Sequence, residues 1–256
     1  MAIEKVEGIV IGETLFGESS KILKVFTKKY GIISLMSKGC RKPKSNFREI
    51  SNKLIYAEFD IKYKDNGIST LINASILNLF RNITMDYKSF DKKIYAFLLT
   101  DLTFQILNQK QDDYLEIDKI YDIYLNTLIK INDGLNVETL FNIVELKYLD
   151  FLGVKPSIDA CSNCGTNKDI ITLSSAAYGY ICNHCYNNEK IVSKDTIKTI
   201  RVLYYVDISR IRQLEIEETT KKEIDEFLKE YYEEHTGIYI KKDNKFKALT
   251  KVEEIL

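Results

Sequence analysis

Four cysteines stand as two C-x-x-C pairs, Cys161-Ser-Asn-Cys164 and Cys182-Asn-His-Cys185, separated by 17 residues. No other feature restricts the fold so tightly. Each pair brings two sulfurs to one side of a tight turn, and a hairpin of this length can return the second pair to the first. A single tetrahedral ion then closes the set, and four thiolates are a ligand set of structural zinc. With every place taken by protein sulfur, none is left for water or substrate, so the one expected Zn²⁺ holds the fold and does no chemistry. Gly165 and Gly179 suit the left-handed turns that a knuckle and a hairpin require.

The same cysteines can be read as two disulfides, as a redox pair, or as a module that has lost its metal. The opening Met1-Ala-Ile-Glu-Lys-Val-Glu carries charge where a secretory leader is apolar, so a reducing, cytoplasmic setting is expected. His184, inside the second knuckle, can replace a cysteine as ligand, but a complete set of four thiolates leaves it an outer or surface position. Cys40 stands alone between Lys38 and Arg41. It reads as an ordinary small residue, with the neighbouring positive charge the one reason to expect reactivity.

Hydrophobic periodicity divides the rest. Strand-like stretches at 6–11, 20–27, 31–37, 54–63 and 69–79 are rich in β-branched and aromatic residues, with breaks at Gly17, Tyr30-Gly31, Lys38-Gly39 and Asp65-Asn66-Gly67. Five strands of this size predict a small closed barrel, a shape that often belongs to the oligonucleotide-binding class. From about residue 86 the period becomes helical, with Ile94, Phe97, Leu98, Leu102 and Ile106, then Ile120, Ile123, Tyr124, Leu128 and Ile131, then Leu140, Ile143, Val144 and Leu149. Asp101 falls among the apolar positions of the first helix and reads as partly buried and structural. Ser193 reads as the N-cap of a helix reaching about Tyr205, and a last helix spans 217–235 with Gly237 as its stop. The fold class is therefore α+β and multidomain: an oligonucleotide-binding barrel at 1–82, then a helical domain at 83–256 with the zinc module inserted at about 157–190. No apolar run approaches the length needed to cross a bilayer.

Charge is balanced overall, at 37 basic and 37 acidic residues, which excludes a surface that binds polyanions everywhere. It is not balanced locally. Residues 1–64 hold 13 Lys/Arg against 7 Asp/Glu, and residues 38–48 hold five of those positive charges and no acid. A loop of this kind, Lys38-Gly39-Cys40-Arg41-Lys42-Pro43-Lys44-Ser45-Asn46-Phe47-Arg48, can follow a phosphate backbone, and Phe47 can offer a base a stacking face. On charge alone the favoured reading is a solvated loop with Phe47 turned into the barrel, since short Lys/Arg runs are frequent on surfaces.

Several stretches together are similar to the bacterial recombination mediator family RecO. They are Gly8 to Gly31 with its Gly17-Glu-Ser-Ser, the basic run from Lys38 to Ser45, Leu152-Gly-Val-Lys-Pro156, the two cysteine knuckles, and Ser174-Ser-Ala-Ala-Tyr-Gly-Tyr180 between them. The resemblance covers essentially the whole chain. It implies a non-enzymatic role in the RecF pathway of DNA repair and recombination. That role comprises binding single- and double-stranded DNA, annealing complementary strands, associating with RecR, receiving the C-terminal tail of single-strand-binding protein, and so helping RecA replace that protein. It points to Lys38, Arg41, Lys42 and Lys44 as DNA contacts, followed by Arg48, Lys21 and Lys24. Lys147, Lys198, Arg201, Arg210 and Arg212 are the cations available to edge a cleft for the acidic tail. Cys40 departs from the small apolar residue more usual in the family.

Nothing in the chain predicts catalysis. A G-x-x-x-x-G-K-[ST] loop is absent, and His184 and His235, the two histidines, belong to no nucleophile arrangement. The acidic pairs Glu217-Glu218 and Glu233-Glu234 read as solvated helix charges. A second functional reading is a zinc-stabilised scaffold for protein contacts, with DNA held by a partner, and the charge balance favours it.

Overall fold

The computed structural model describes residues 3–86, 90–109 and 116–240. The outer limits of the two expected domains, 1–2 and 241–256, lie outside the described residues. Two compact units emerge, one of Met1–Phe90 with Glu116–Asn132, the other of Asp91–Leu115 with Asp133–Leu256.

The first unit is built on five strands, β1 (Ile3–Phe16), β2 (Ser20–Thr27), β3 (Gly31–Ser37), β4 (Tyr56–Lys62) and β5 (Ile68–Asn78). β1 pairs antiparallel with β4 through Ile3–Ile9 and with β2 through Gly8–Phe16, and an irregularity between Val10 and Gly12 lets one long strand serve both neighbours. With β3 parallel to β5, the order β1-β2-β3-β5-β4 closes into a barrel without free edges. Alternation decides its interior. Val6, Val10, Leu23, Val25, Ile33, Leu35, Ala57, Phe59, Ile61 and Leu71 point inward and are buried together. The connection from β3 to β4 folds back onto the irregular point of β1, where Leu54 donates its N–H to the Val10 carbonyl and Val10 donates to that of Ile55.

Helices follow: one turn α1 (Arg81–Thr84), α2 (Phe90–Gln109), α3 (Ile117–Asn132), α4 (Val137–Phe151), α5 (Lys194–Tyr205) and α6 (Glu218–His235). The sequence reading groups everything beyond residue 82 with the helical domain, but α3 belongs with the barrel. Its Tyr121 and Tyr124 rings meet Phe26 of β2 at 5.2 and 5.8 Å, and Lys28 pairs with Asp122 at 2.8 Å. Periodicity reports that α3 has an apolar face and says nothing about which neighbour covers it.

In the second unit α4 is almost wholly buried, capped by Asn136, whose side chain accepts the Thr139 N–H. Tyr148 on α4 shares a hydrogen bond with Thr103 on α2, and Tyr232 on α6 donates to the Glu145 carbonyl. Ser193 caps α5 by accepting the Thr196 N–H, the arrangement its sequence predicts. Asp101 corrects the sequence reading: it is exposed and accepts a hydrogen bond from Gln105 one turn on, so it has no place in the core. Among the described residues no helix is long and apolar enough to cross a membrane.

Candidate metal centre and nucleic-acid interface

The module carrying the cysteines belongs to the second unit and is organised by a two-stranded hairpin, β6 (Ile170–Ser174) with β7 (Gly179–Cys182). Ser157 threads beside β7, donating its N–H to the Tyr178 carbonyl at 2.7 Å and accepting from the Tyr180 N–H at 2.8 Å. Each knuckle is a turn closed by its own backbone: Gly165 donates to the Cys161 carbonyl and Cys185 to that of Cys182. Gly165 adopts φ +74, the left-handed conformation that closes the first turn. Tyr180 donates its hydroxyl to the Ile197 carbonyl, which fastens the hairpin to α5.

These turns bring Cys161, Cys164, Cys182 and Cys185 together, with all four sulfurs within 4.8 Å of one another and Cys164 and Cys182 at 3.6 Å. None is in a disulfide. A tetrahedral zinc with bonds of about 2.3 Å would set its sulfurs about 3.8 Å apart, so the residues fit one such ion. Burial opposes ionisation of Cys161, but N–H groups of Cys182, Cys164 and Asn163 outweigh it and bring the thiol down to about 6. The crowded neighbouring thiols, Cys164 first, push Cys185 up to about 12. Four sulfurs so close cannot all be anionic without a cation among them, and a bound metal displaces their protons. His184 is exposed and stands outside the cluster, as a full thiolate set requires.

The barrel carries the second candidate site. Lys38, Arg41, Lys42, Lys44 and Arg48 are all exposed, and among the described residues none of them forms an ion pair. The loop holding them is not loose. Arg41 donates its N–H to the Ser19 carbonyl at 2.9 Å and its guanidinium to the Glu18 carbonyl at 3.1 Å, while the Gly39 N–H reaches the Ser20 hydroxyl. The basic run is thereby pinned against the turn between β1 and β2. Lys24 is exposed and, among the described residues, reaches only the Ser34 hydroxyl, at 2.9 Å. Lys21 differs: its side chain is 15% exposed, pairs with Glu13 at 2.6 Å and donates to the Ser51 carbonyl. Its charge already holds the β3–β4 connection onto the barrel. Cys40 is buried, which removes the reactivity that its basic neighbours suggest.

Phe47 is partly buried and packs against the barrel core. Within the five barrel strands the exposed aromatic is Phe16, half open to solvent at the end of β1, with Leu15 beside it. Its position immediately before Gly17 is the sequence signal for a hairpin tip.

Of the cations available to edge a cleft for the acidic tail, Lys147 donates to the Tyr204 carbonyl and is held below the usual lysine range by burial, Arg201 pairs with Asp159, and Arg210 with Asp207. Lys198 lines a cavity of about 490 Å³ with Val202, Leu203, Leu214 and Ile216, but Asp195, Glu215 and Glu217 line it too. Such a rim suits an acidic peptide poorly.

Barrel and module together define the class: a protein with an oligonucleotide-binding barrel and a separate helical unit that carries a four-thiol metal-binding module. Residues 1–80 match the family model "Recombination protein O N terminal" and residues 88–244 match "Recombination protein O C terminal". The chain belongs to the RecO family, whose role lies in DNA repair and recombination. It is 30% identical over 240 residues to the DNA repair protein RecO of Bacillus pumilus, covering 93% of this chain and 91% of that one. To the protein of the same name from Bacillus subtilis it is 28% identical, covering 93% and 92%, and to that of Listeria monocytogenes serotype 4b 25%, covering 99% and 98%.

Proposed function

We propose that this protein is a non-enzymatic recombination mediator that binds single- and double-stranded DNA on its barrel and anneals complementary strands. The observation that carries the reading is the exposed row Lys38, Arg41, Lys42, Lys44 and Arg48, free of carboxylate partners among the described residues and anchored at Arg41. Lys24 extends it onto the barrel wall. Cations in a fixed loop displace condensed counterions from a phosphate backbone and read no base sequence, which is what a protein handling any single strand needs. Neutralising two strands on such surfaces lets them approach closely enough to pair. Family membership supports the further steps: association with RecR, contact with the tail of single-strand-binding protein, and delivery of DNA to RecA in the cytoplasm.

In the same reading the four thiolates hold one structural Zn²⁺. Elemental analysis of the purified protein tests this, with one zinc per chain expected and loss of the metal in Cys161→Ser or Cys185→Ser. For DNA, a fluorescence anisotropy titration over a salt series is decisive. Replacing Arg41, Lys42 and Lys44 together by Ala lowers affinity and reduces the log–log salt slope by about 2, at about 0.7 per lost phosphate contact on a single strand. A wild-type protein that binds no oligonucleotide would leave the scaffold reading, with DNA held by a partner.

A further inference from the structure

The wall of the barrel formed by β1, β2 and β3 has an outer side whose composition follows from strand parity. Leu23 and Val25 on β2 and Ile33 and Leu35 on β3 fill the interior, so the residues between them face outward. Cross-strand pairing extends this set. Thr14, Ile22 and Met36 lie level with one another, Gly12, Lys24 and Ser34 form the next row, and Phe16 stands opposite Ser20 at the far end. One end of this wall is covered, since Phe26 lies beneath Tyr121 and Tyr124 of α3. The other end is more open to solvent. Phe16 is 51% exposed there, and Ile22 and Met36 are only half-buried.

An exposed phenyl ring loses hydrophobic stabilisation, and barrels ordinarily place polar residues on such a wall. Here the ring stands where the basic loop is tied down, because the carbonyls of Ser19 and Glu18, which accept from Arg41, belong to the same turn that Phe16 enters. Lys24 shares its outer side. An apolar strip rimmed by cations that have no carboxylate partner among the described residues is complementary to a chain of aromatic bases on a polyanionic backbone.

We propose that Phe16 is a base-stacking residue for single-stranded DNA, with Ile22 and Met36 as the apolar floor on which the neighbouring base rests. Phosphates of the same strand lie against Lys24 and the cations of the 38–48 loop. Stacking needs an open base face, which a duplex withholds, so Phe16 distinguishes single from double strands while the cations do not. The inference rests on the barrel being the DNA-binding surface and adds to it the residue that selects the strand form.

The test uses the full-length protein in its wild-type, Phe16→Ala and Phe16→Trp forms, titrated against fluorescent oligothymidylate and against a duplex of matched length over a salt series. The expected result for Phe16→Ala is a roughly tenfold loss of affinity for the single strand, with its salt slope and the duplex affinity both unchanged. Phe16→Trp keeps single-strand affinity. Because the chain has no tryptophan of its own, Phe16→Trp also supplies one reporter, whose emission the oligonucleotide quenches. Circular dichroism of Phe16→Ala checks that the barrel is intact. Equal single-strand affinity in wild type and Phe16→Ala, or an equal loss on both DNA forms, overturns the proposal while leaving the cationic site standing. Absence of DNA binding by the wild type overturns both.

Discussion

Gly179 lies so close to Ser157 that a β-carbon at position 179 would stand 2.2 Å from the Ser157 carbonyl oxygen, and its own φ is +138. No side chain can be fitted there without parting the two segments, which exchange backbone hydrogen bonds on either side. Gly179→Ala is expected to destabilise the second unit by roughly 3 kcal/mol, combining backbone strain with steric exclusion. Gly165, also left-handed but with open space around it, sets the comparison: Gly165→Ala is expected to cost roughly 1–2 kcal/mol. Thermal melts of both variants, with metal content measured on each, give the ranking, and equal melting temperatures would remove the steric argument.

Glu223 on α6 supports the start of α5, accepting the Ser193 N–H at 3.0 Å and the Thr196 hydroxyl. Burial alone would raise its pKa, but these donors prevail and hold it below the ordinary carboxylate value. A carboxyl whose folded pKa is depressed contributes stability in full above its unfolded pKa, and that contribution fades as pH falls through the folded value. Glu223→Gln is therefore expected to lower the melting temperature at neutral pH and to narrow its gap from wild type as pH is brought below about 4. A gap that is constant with pH would show that the carboxylate's charge contributes nothing.

The knuckles and the Ser193 cap both depend on residue type at short range, which a sequence displays directly. The knuckles announce themselves because a metal site depends on residue type at fixed short spacing, and Ser193 does so because capping is local. The barrel strands were readable from alternation, although β1 runs from Ile3 to Phe16 while the strand pattern marks only 6–11. Residues 13–16 are exposed at the hairpin end and carry no inward apolar rhythm, so pairing with β2 extends the strand there. Long-range choices stayed hidden. Nothing in the sequence of α3 says that its tyrosines cover Phe26, whereas the turn of Phe47 toward the barrel is the reading its loop favours on charge alone. The difference between Lys21 and Lys24 is likewise one of strand parity combined with the fold of a loop 30 residues away.

That difference can be measured. Lys21 lies on the inward-facing parity and is held by Glu13 and the Ser51 carbonyl, whereas Lys24 lies on the outer wall with only a hydroxyl for company. Lys21→Ala is expected to lower barrel stability, by about 1 kcal/mol or more since it leaves Glu13 without its partner, and to leave the salt slope of DNA binding unchanged. Lys24→Ala is expected to do the reverse, with stability within about 0.5 kcal/mol of wild type and a slope reduced by about 0.7. Denaturant melts and salt-dependent anisotropy on the two variants separate the roles. A slope that falls for Lys21→Ala would place its ammonium on the DNA.

Phe26 joins α3 to the barrel, fully buried between β2 and the rings of Tyr121 and Tyr124. Beyond the buried area, edge and tilted ring contacts of this kind add about 0.5–1.5 kcal/mol. Phe26→Ala removes both and is expected to destabilise the first unit by about 3–5 kcal/mol. The loss is local in origin, since Phe26 faces away from the barrel interior that Leu23 and Val25 fill. Amide hydrogen exchange of Phe26→Ala is therefore expected to accelerate in residues 117–132 before it does so in β2 and β3. If strands and helix lose protection together, α3 is an integral part of the barrel's cooperative unit and cannot open apart from it.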